Sequence, residues 1–270
     1  VPRSILSPRA IVTFVVNVAG VDGTIPTTLT LKRGTKLNTL VDGEEFQYVV
    51  LDNHTATISD NIFTFSDITI AEGSFKSLKY RVDNDIENQK FQLSDGDADT
   101  STLRVRVQDN EESSAFDIYT KFESLKSVDS TTKTYYLQEN SNEYFEIYFG
   151  DGVTGYKPIN NNIVTLDYVY TNGKDSNGAN LFTKVDNIEG FENIVITTIV
   201  KAAGGVDAET TESIRFNAPL TFTSQNRAVT SDDYSAIIKK SFTNIDSIST
   251  WGDEDNDPPD YGKAYISIKP

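Results

Sequence analysis

The feature that most limits the fold of this chain is a succession of short runs, four to eight residues long, rich in β-branched and aromatic side chains. Ile11 to Val18, Thr27 to Leu31, Phe46 to Leu51, Ile62 to Phe65, Leu103 to Val107, Tyr144 to Phe149, Ile163 to Tyr170 and Ile194 to Val200 are such runs. Their length suits strands, and Leu103, Val105 and Val107 show the period of two that places alternate side chains on one face. Between the runs stand Asp-Gly at 22, 42, 95 and 151 and Asn-Gly at 172 and 177. These dipeptides readily adopt positive φ and close tight hairpins, so mostly antiparallel pairing is expected. A parallel sheet would need crossover helices for which the spacing leaves no room.

The pattern changes at Gly204-Gly205. Asp207 is placed to cap a helix over residues 208–216, with Glu209 and Glu212 near its positive end, and Pro219 limits its extension. A second helix follows Thr230, with Asp233 in its first turn and Tyr234, Ile237 and Ile238 on one face. Two strands, Ile245 to Thr250 and Lys263 to Ile268, flank an acidic loop. The expected class is therefore a β-rich α+β protein: mostly antiparallel β modules followed by a small C-terminal α+β unit of helix, helix, strand, strand. The expected division is an N-terminal β module over 1–74, a central β-rich domain over 75–203 and the α+β domain over 204–270. Residues 83–101 and 127–134 read as polar connections.

Composition removes whole classes of function. With 24 basic and 40 acidic residues the net charge is −16, so phosphate is repelled, and neither nucleic acid nor an anionic membrane is an expected partner. There is no Cys and one His, His54, which excludes thiol chemistry, disulfides and His/Cys zinc sites and leaves only carboxylates for a hard cation. No cofactor is expected. Arg3 and Arg9 before the apolar run from Ala10 superficially resemble a signal peptide, but its β-branched content makes a buried strand the better reading. The absence of Met, at position 1 included, reads as a piece of a longer chain whose missing part lies chiefly upstream of Val1.

Candidate chemistry is sparse. Asp95, Asp97 and Asp99, and Asp253, Asp255 and Asp257, have the spacing of the first three ligands of a calcium loop. The Gly and Glu that such a loop needs are replaced by Thr100 and Arg106 in one and by Pro258 and Ala264 in the other, so solvated acidic loops are the better reading. Among 40 carboxylates a pair at glycosidase spacing arises by chance and signifies nothing without a cleft. His54 reads as a turn or strand-end residue. Gly150, Asp151 and Gly152, with Gly155 beyond, could nest an anion, but a tight hairpin explains them. Trp251, the single tryptophan, serves as a core anchor or an interface residue.

Several segments, in this order and spacing, resemble one family: Ala71-Glu-Gly73, residues 99–107, Phe149 to Gly152 with Gly155, Gly204-Gly205 with Asp207, Glu209, Glu212 and Arg215, residues 217–219, Asn226-Arg227 with Asp233-Tyr234, and Trp251-Gly252. The chain resembles the baseplate J-like wedge proteins of contractile phage tails, in the form carried by T4-like phages. The resemblance implies a structural, non-enzymatic subunit of the virion tail baseplate, assembled in the host cytoplasm. Its copies would join into a ring around the hub, bind other wedge subunits and rearrange when sheath contraction is triggered. The motif glycines would serve turns, Arg215 and Arg227 ion pairs or hydrogen bonds, and Asp233 and Tyr234 the helix start and its packing. Self-association is expected through the α+β unit or its neighbouring loops. The alternative is a carbohydrate-binding or adhesin-like β module, which would need two or three coplanar exposed aromatics.

Overall fold

A computed structural model describes residues 4–21, 24–94, 96–122, 128–224, 227–241, 245, 247–252 and 262–269. The chain divides into two compact units, Arg3–Ala208 and Glu209–Pro270. In chain order the first unit holds β1 (Arg9–Asn17), β2 (Thr28–Leu31), β3 (Lys36–Val41), β4 (Glu44–Val50), β5 (His54–Thr57), β6 (Ile62–Glu72) and β7 (Ser74–Arg81). There follow β8 (Phe91–Gln92), β9 (Ala98–Gln108), β10 (Asp117–Lys121), β11 (Thr134–Glu139), β12 (Phe145–Phe149), β13 (Ile163–Tyr170), β14 (Thr183–Lys184) and β15 (Ile194–Ala203). The second unit holds α1 (Thr211–Ser224), α2 (Ser231–Ser241), β16 (Ser247–Gly252) and β17 (Ala264–Lys269). The β-rich α+β class is observed.

Two large sheets fill the first unit. One has the order β14-β3-β4-β6-β1-β15, the other β7-β13-β9-β10-β11-β12-β8. All pairings are antiparallel except that of β10 with β11. Strand β1 shows how sequence becomes layer: Ala10, Val12, Phe14 and Val16 are buried while Ile11, Thr13 and Val15 are half-exposed, the alternation of a one-sided strand. Strand β13 lies between β7 and β9 and is buried on both faces, Thr165 and Asp167 included. Asp42 and Gly43 both take positive φ, 51° and 89°, and turn β3 directly into β4, with Val41 opposite Glu44.

Pairing in the first sheet runs across the sequence division at 74. Strand β15 pairs with β1, and β14 with β3. The segment leading into β14 joins the two edges: Gly178 N donates to Ala202 O at 2.7 Å, Ala202 N to Ala179 O at 2.8 Å, and Thr183 stands opposite Asn38. Residues 74–170 form the second sheet. The two sheets keep separate apolar cores, one around Phe14, Tyr48 and Phe63, the other around Phe91, Leu166 and Tyr168.

Several expectations are corrected. Residues 83–101 are not one long connection, since they hold β8 and the start of β9. Strands β3, β5, β7, β10 and β11 carry too many polar residues to stand out as apolar runs; in β10 only Tyr119 is buried. Helix α1 starts later than expected and passes through Pro219. Thr210 caps it, its Oγ1 accepting from Ser213 N at 3.3 Å. Asp207 is instead drawn to Lys174 Nζ at 2.7 Å.

Candidate functional site

Among the described residues no cluster of three or more His, Asp or Glu is placed to hold a metal ion. The place where the first unit is most exactingly built is the joint between its two sheets. Chain passage at this joint rests on Gly73: its φ is +116°, and a Cβ there would stand 2.0 Å from Tyr170 O. The absent side chain lets β6 of one sheet run straight into β7 of the other. Beside it Glu72, 1% exposed, accepts hydrogen bonds from Thr171 Oγ1 at 2.5 Å, Asn172 N at 3.0 Å and Asn172 Nδ2 at 2.9 Å. Burial pushes the Glu72 carboxyl above the usual range, against the downward pull of these donors.

A second buried carboxylate, Asp99, stitches the segment before β1 to β9. Its Oδ2 accepts from Ser7 N at 3.1 Å and Ser7 Oγ at 2.6 Å, its Oδ1 from Ser101 N at 2.9 Å and Ser101 Oγ at 2.5 Å. Both oxygens are thereby committed inside the protein. Asp99 is a joint residue, which corrects its reading as part of a solvated acidic loop. Asp95 and the cluster at 253–257 lie outside the described residues. Arg33 completes the joint, stacking on Phe75 at 3.9 Å and reaching Asp167 at 3.9 Å, while Asp167 also takes Arg106 at 2.6 Å. Arg104 pairs with Asp52 across the same boundary.

The motif residues distribute as follows. Gly150 is buried where a Cβ would meet Gly155 O at 2.4 Å, and Gly152 has φ +92°. The loop is not a hairpin, because β12 pairs with β11 and β8 and not with β13. Asp151 Oδ1 accepts from Val153 N at 2.9 Å and Thr154 N at 2.8 Å. The loop's own carboxylate thus occupies the amides that an external anion would need, and the Thr154 and Val153 amides hold it below the usual carboxylate range. Gly205 faces Pro8, whose Cγ would be 2.3 Å from a Cβ, and exchanges hydrogen bonds with the Asn177 side chain. Gly204, at φ +85°, precedes it, and Val206 bridges to Leu6. His54 opens β5 opposite Leu31, as a strand-end residue.

In the second unit Glu209 Oε1 accepts from Ser213 Oγ at 2.9 Å. Arg215 and Arg227 are exposed, and Asn226 lies outside the described residues. Asp233 Oδ2 accepts from Thr230 N at 2.9 Å while Thr230 Oγ1 accepts from Asp233 N at 3.3 Å, a reciprocal cap at the start of α2. The Thr230 amide holds the Asp233 carboxyl below its usual range. Tyr234 is half-buried one residue on. Trp251 stacks on Tyr265 across the β16–β17 pair, rings 5.8 Å apart and 10° from parallel. In the second sheet Tyr136 and Tyr148 lie face to face, 5.1 Å apart at 12°, a stacked pair and not the side-by-side arrangement of a sugar platform.

Sequence reasoning missed Glu72 and Arg33. The signal for Glu72 was present in Ala71-Glu-Gly73, a carboxylate beside a glycine at the end of an apolar run. Nothing local pointed to Arg33, whose partners are distant in sequence.

Comparison with known proteins adds what the geometry alone cannot. Residues 78–182 match the third domain of the bacteriophage baseplate wedge protein gp6, and residues 230–270 match the C-terminal domain I of the baseplate structural protein gp6. Baseplate wedge protein gp6 of Enterobacteria phage T4 is 31% identical over 170 residues, covering 54% of this chain. Two segments of this chain are thus similar to gp6-type baseplate wedge domains. The matches correct the J-like label to the gp6 wedge proteins while keeping the baseplate wedge relationship. The chain spans 25% of the length of the T4 relative. A chain of the anti-feeding prophage baseplate, solved by cryo-EM, aligns over 92% of this chain and 45% of its own length, at 12% identity and a TM-score of 0.33, too low to carry an argument.

Proposed function

We propose that the chain is a structural, non-enzymatic part of a baseplate wedge subunit, located in the baseplate of a contractile phage tail. The observation that carries this reading is the ordered pair of wedge-domain matches at 78–182 and 230–270, together with the 31% identity to the T4 protein. In this role its copies meet one another around the hub, it binds other wedge subunits, and their arrangement changes when contraction is triggered. The first unit supports the reading physically. Strands distant in sequence are sewn together, and buried carboxylates with satisfied hydrogen bonds hold the two sheets in one arrangement, as a load-transmitting scaffold requires.

Contacts between copies have to overcome a net charge of −16 per chain. Exposed apolar side chains such as Leu40, Leu181 and Ile199 on the first unit, and Ile266 and Ile268 on the second, are the surfaces suited to this. Gold-labelled antibody against the chain is expected to mark the baseplate end of intact tails; label confined to fibres, tube or capsid would contradict the proposal. Light scattering at tens of micromolar is expected to show self-association that strengthens as salt screens the repulsion. A strict monomer that no wedge protein alters would count against it.

A further inference from the structure

Within the segment that matches the third wedge domain, the loops over residues 82–90 and 149–158 face each other across a cleft of about 480 Å³. Its floor is apolar, built from Phe91 and Phe149, which pack edge to face at 5.5 Å, and from Tyr148. Ile86, 52% exposed, stands among the lining residues. Among the ionisable lining groups, Asp83, Asp85, Glu87 and Asp151 outnumber Lys90 and Lys157. Lys90 is already paired with Glu146 at 2.8 Å, so the field at the mouth is negative.

The walls are set without help from any occupant. Gln89 Oε1 accepts from Asp83 N at 2.9 Å and its Nε2 donates to Arg81 O at 3.0 Å. Asn84 N donates to Asn160 Oδ1 at 3.1 Å, which ties one wall to the chain beyond the other, and Asp151 fixes its own loop. An apolar floor under an acidic rim excludes phosphates and other anions. It selects an occupant that brings one hydrophobic side chain between positive charges. A second copy of this chain, at −16, is the wrong charge.

We propose that this cleft docks an extended segment of a different protein, one that inserts a single apolar side chain flanked by Lys or Arg. The proposal deepens the reading of the chain as a subunit that binds other baseplate proteins, and rests on it only for where the partner comes from. The probe is a synthetic peptide with the core Lys-Arg-Phe-Lys-Arg, titrated into the isotope-labelled 270-residue chain and followed by NMR. Amides of residues 82–91 and 148–158 are expected to shift. Control peptides with Lys-Arg-Ser-Lys-Arg or Glu-Glu-Phe-Glu-Glu cores are expected to bind on the order of tenfold more weakly.

Ile86→Asp, and Asp85→Lys combined with Glu87→Lys, change exposed side chains. Each is expected to weaken the Phe peptide about tenfold without lowering the melting temperature. Equal affinity for the Ser peptide, shifts elsewhere on the chain, or no saturation below about 5 mM, a Kd scale where binding energy is nearly lost, would each overturn the proposal. So would an oligosaccharide of N-acetylglucosamine that shifts the same amides and is unaffected by the charge reversal, which would make the cleft a sugar site. Loss of peptide binding in the variants tests the cleft alone. If the peptide fails to bind while the chain still assembles with wedge proteins, the cleft falls and the wedge reading stands.

Discussion

The two compact units are built on different physical terms. The first buries whole aromatic and aliphatic side chains, Phe14, Tyr48, Leu166 and Tyr168 among them, in two cores. Among the residues of the second unit whose exposure is described none is buried: α2 presents a half-covered face over 233–238, and β17 leaves Ile266 and Ile268 more than two-fifths exposed. Burial at roughly 25 cal/mol per Å² makes the first unit's stability internal to itself. On the second unit Ile266 and Ile268 still face water, as side chains of a surface completed by a partner do.

The contrast can be broken by paired core substitutions. Leu166→Ala, at a fully buried site, is expected to cost about 2–5 kcal/mol in urea unfolding, whereas Ile268→Ala on the second unit's edge is expected to cost under about 1 kcal/mol. Equal losses would erase the distinction. Gly73→Ala should come next, because a Cβ 2.0 Å from Tyr170 O at positive φ has to displace backbone, with an expected loss of about 3 kcal/mol and faster hydrogen exchange in β6 and β7.

Glu72 gives a smaller, pH-dependent effect. Its folded pKa is raised, so the native state holds more protons than the unfolded state, and stability should fall as pH rises from the ordinary glutamate value of about 4.3 through the folded value. Glu72→Gln is expected to flatten that part of the profile of melting temperature against pH. An unchanged slope would mean that Glu72 titrates as in the unfolded chain. Asp233 has the opposite sign: its folded pKa is lowered, so its contribution is present above the ordinary aspartate value and lost as pH falls through the folded one. A comparably small effect is expected from Thr230→Ala, which removes one cap of α2 for about 1 kcal/mol and should be confined to the second unit's exchange rates.

What could be read from the sequence was local. The apolar runs of β1 and β13 and the Asp42-Gly43 turn depend on neighbours in the chain, and the expected strands Ile11 to Val18 and Ile163 to Tyr170 overlap the observed ones closely. The cap formed by Thr230 and Asp233 was legible for the same reason. The joint was not. Glu72 meets Thr171, Asp99 meets Ser7 and Arg33 meets Asp167 over separations that no local pattern encodes. Strand β10 stayed hidden because one buried residue, Tyr119, leaves no alternation to detect. In α1 the expected stop at Pro219 failed because the helix continues past it, a choice that sequence propensity alone does not decide.

The most direct measurement is co-sedimentation of the chain with the remaining wedge proteins in a gradient, run beside a form ending at Ala208. The account predicts that the full chain enters wedge complexes and that the shortened form remains folded but enters them poorly. A full chain that sediments alone, or a shortened form that assembles equally well, would contradict it.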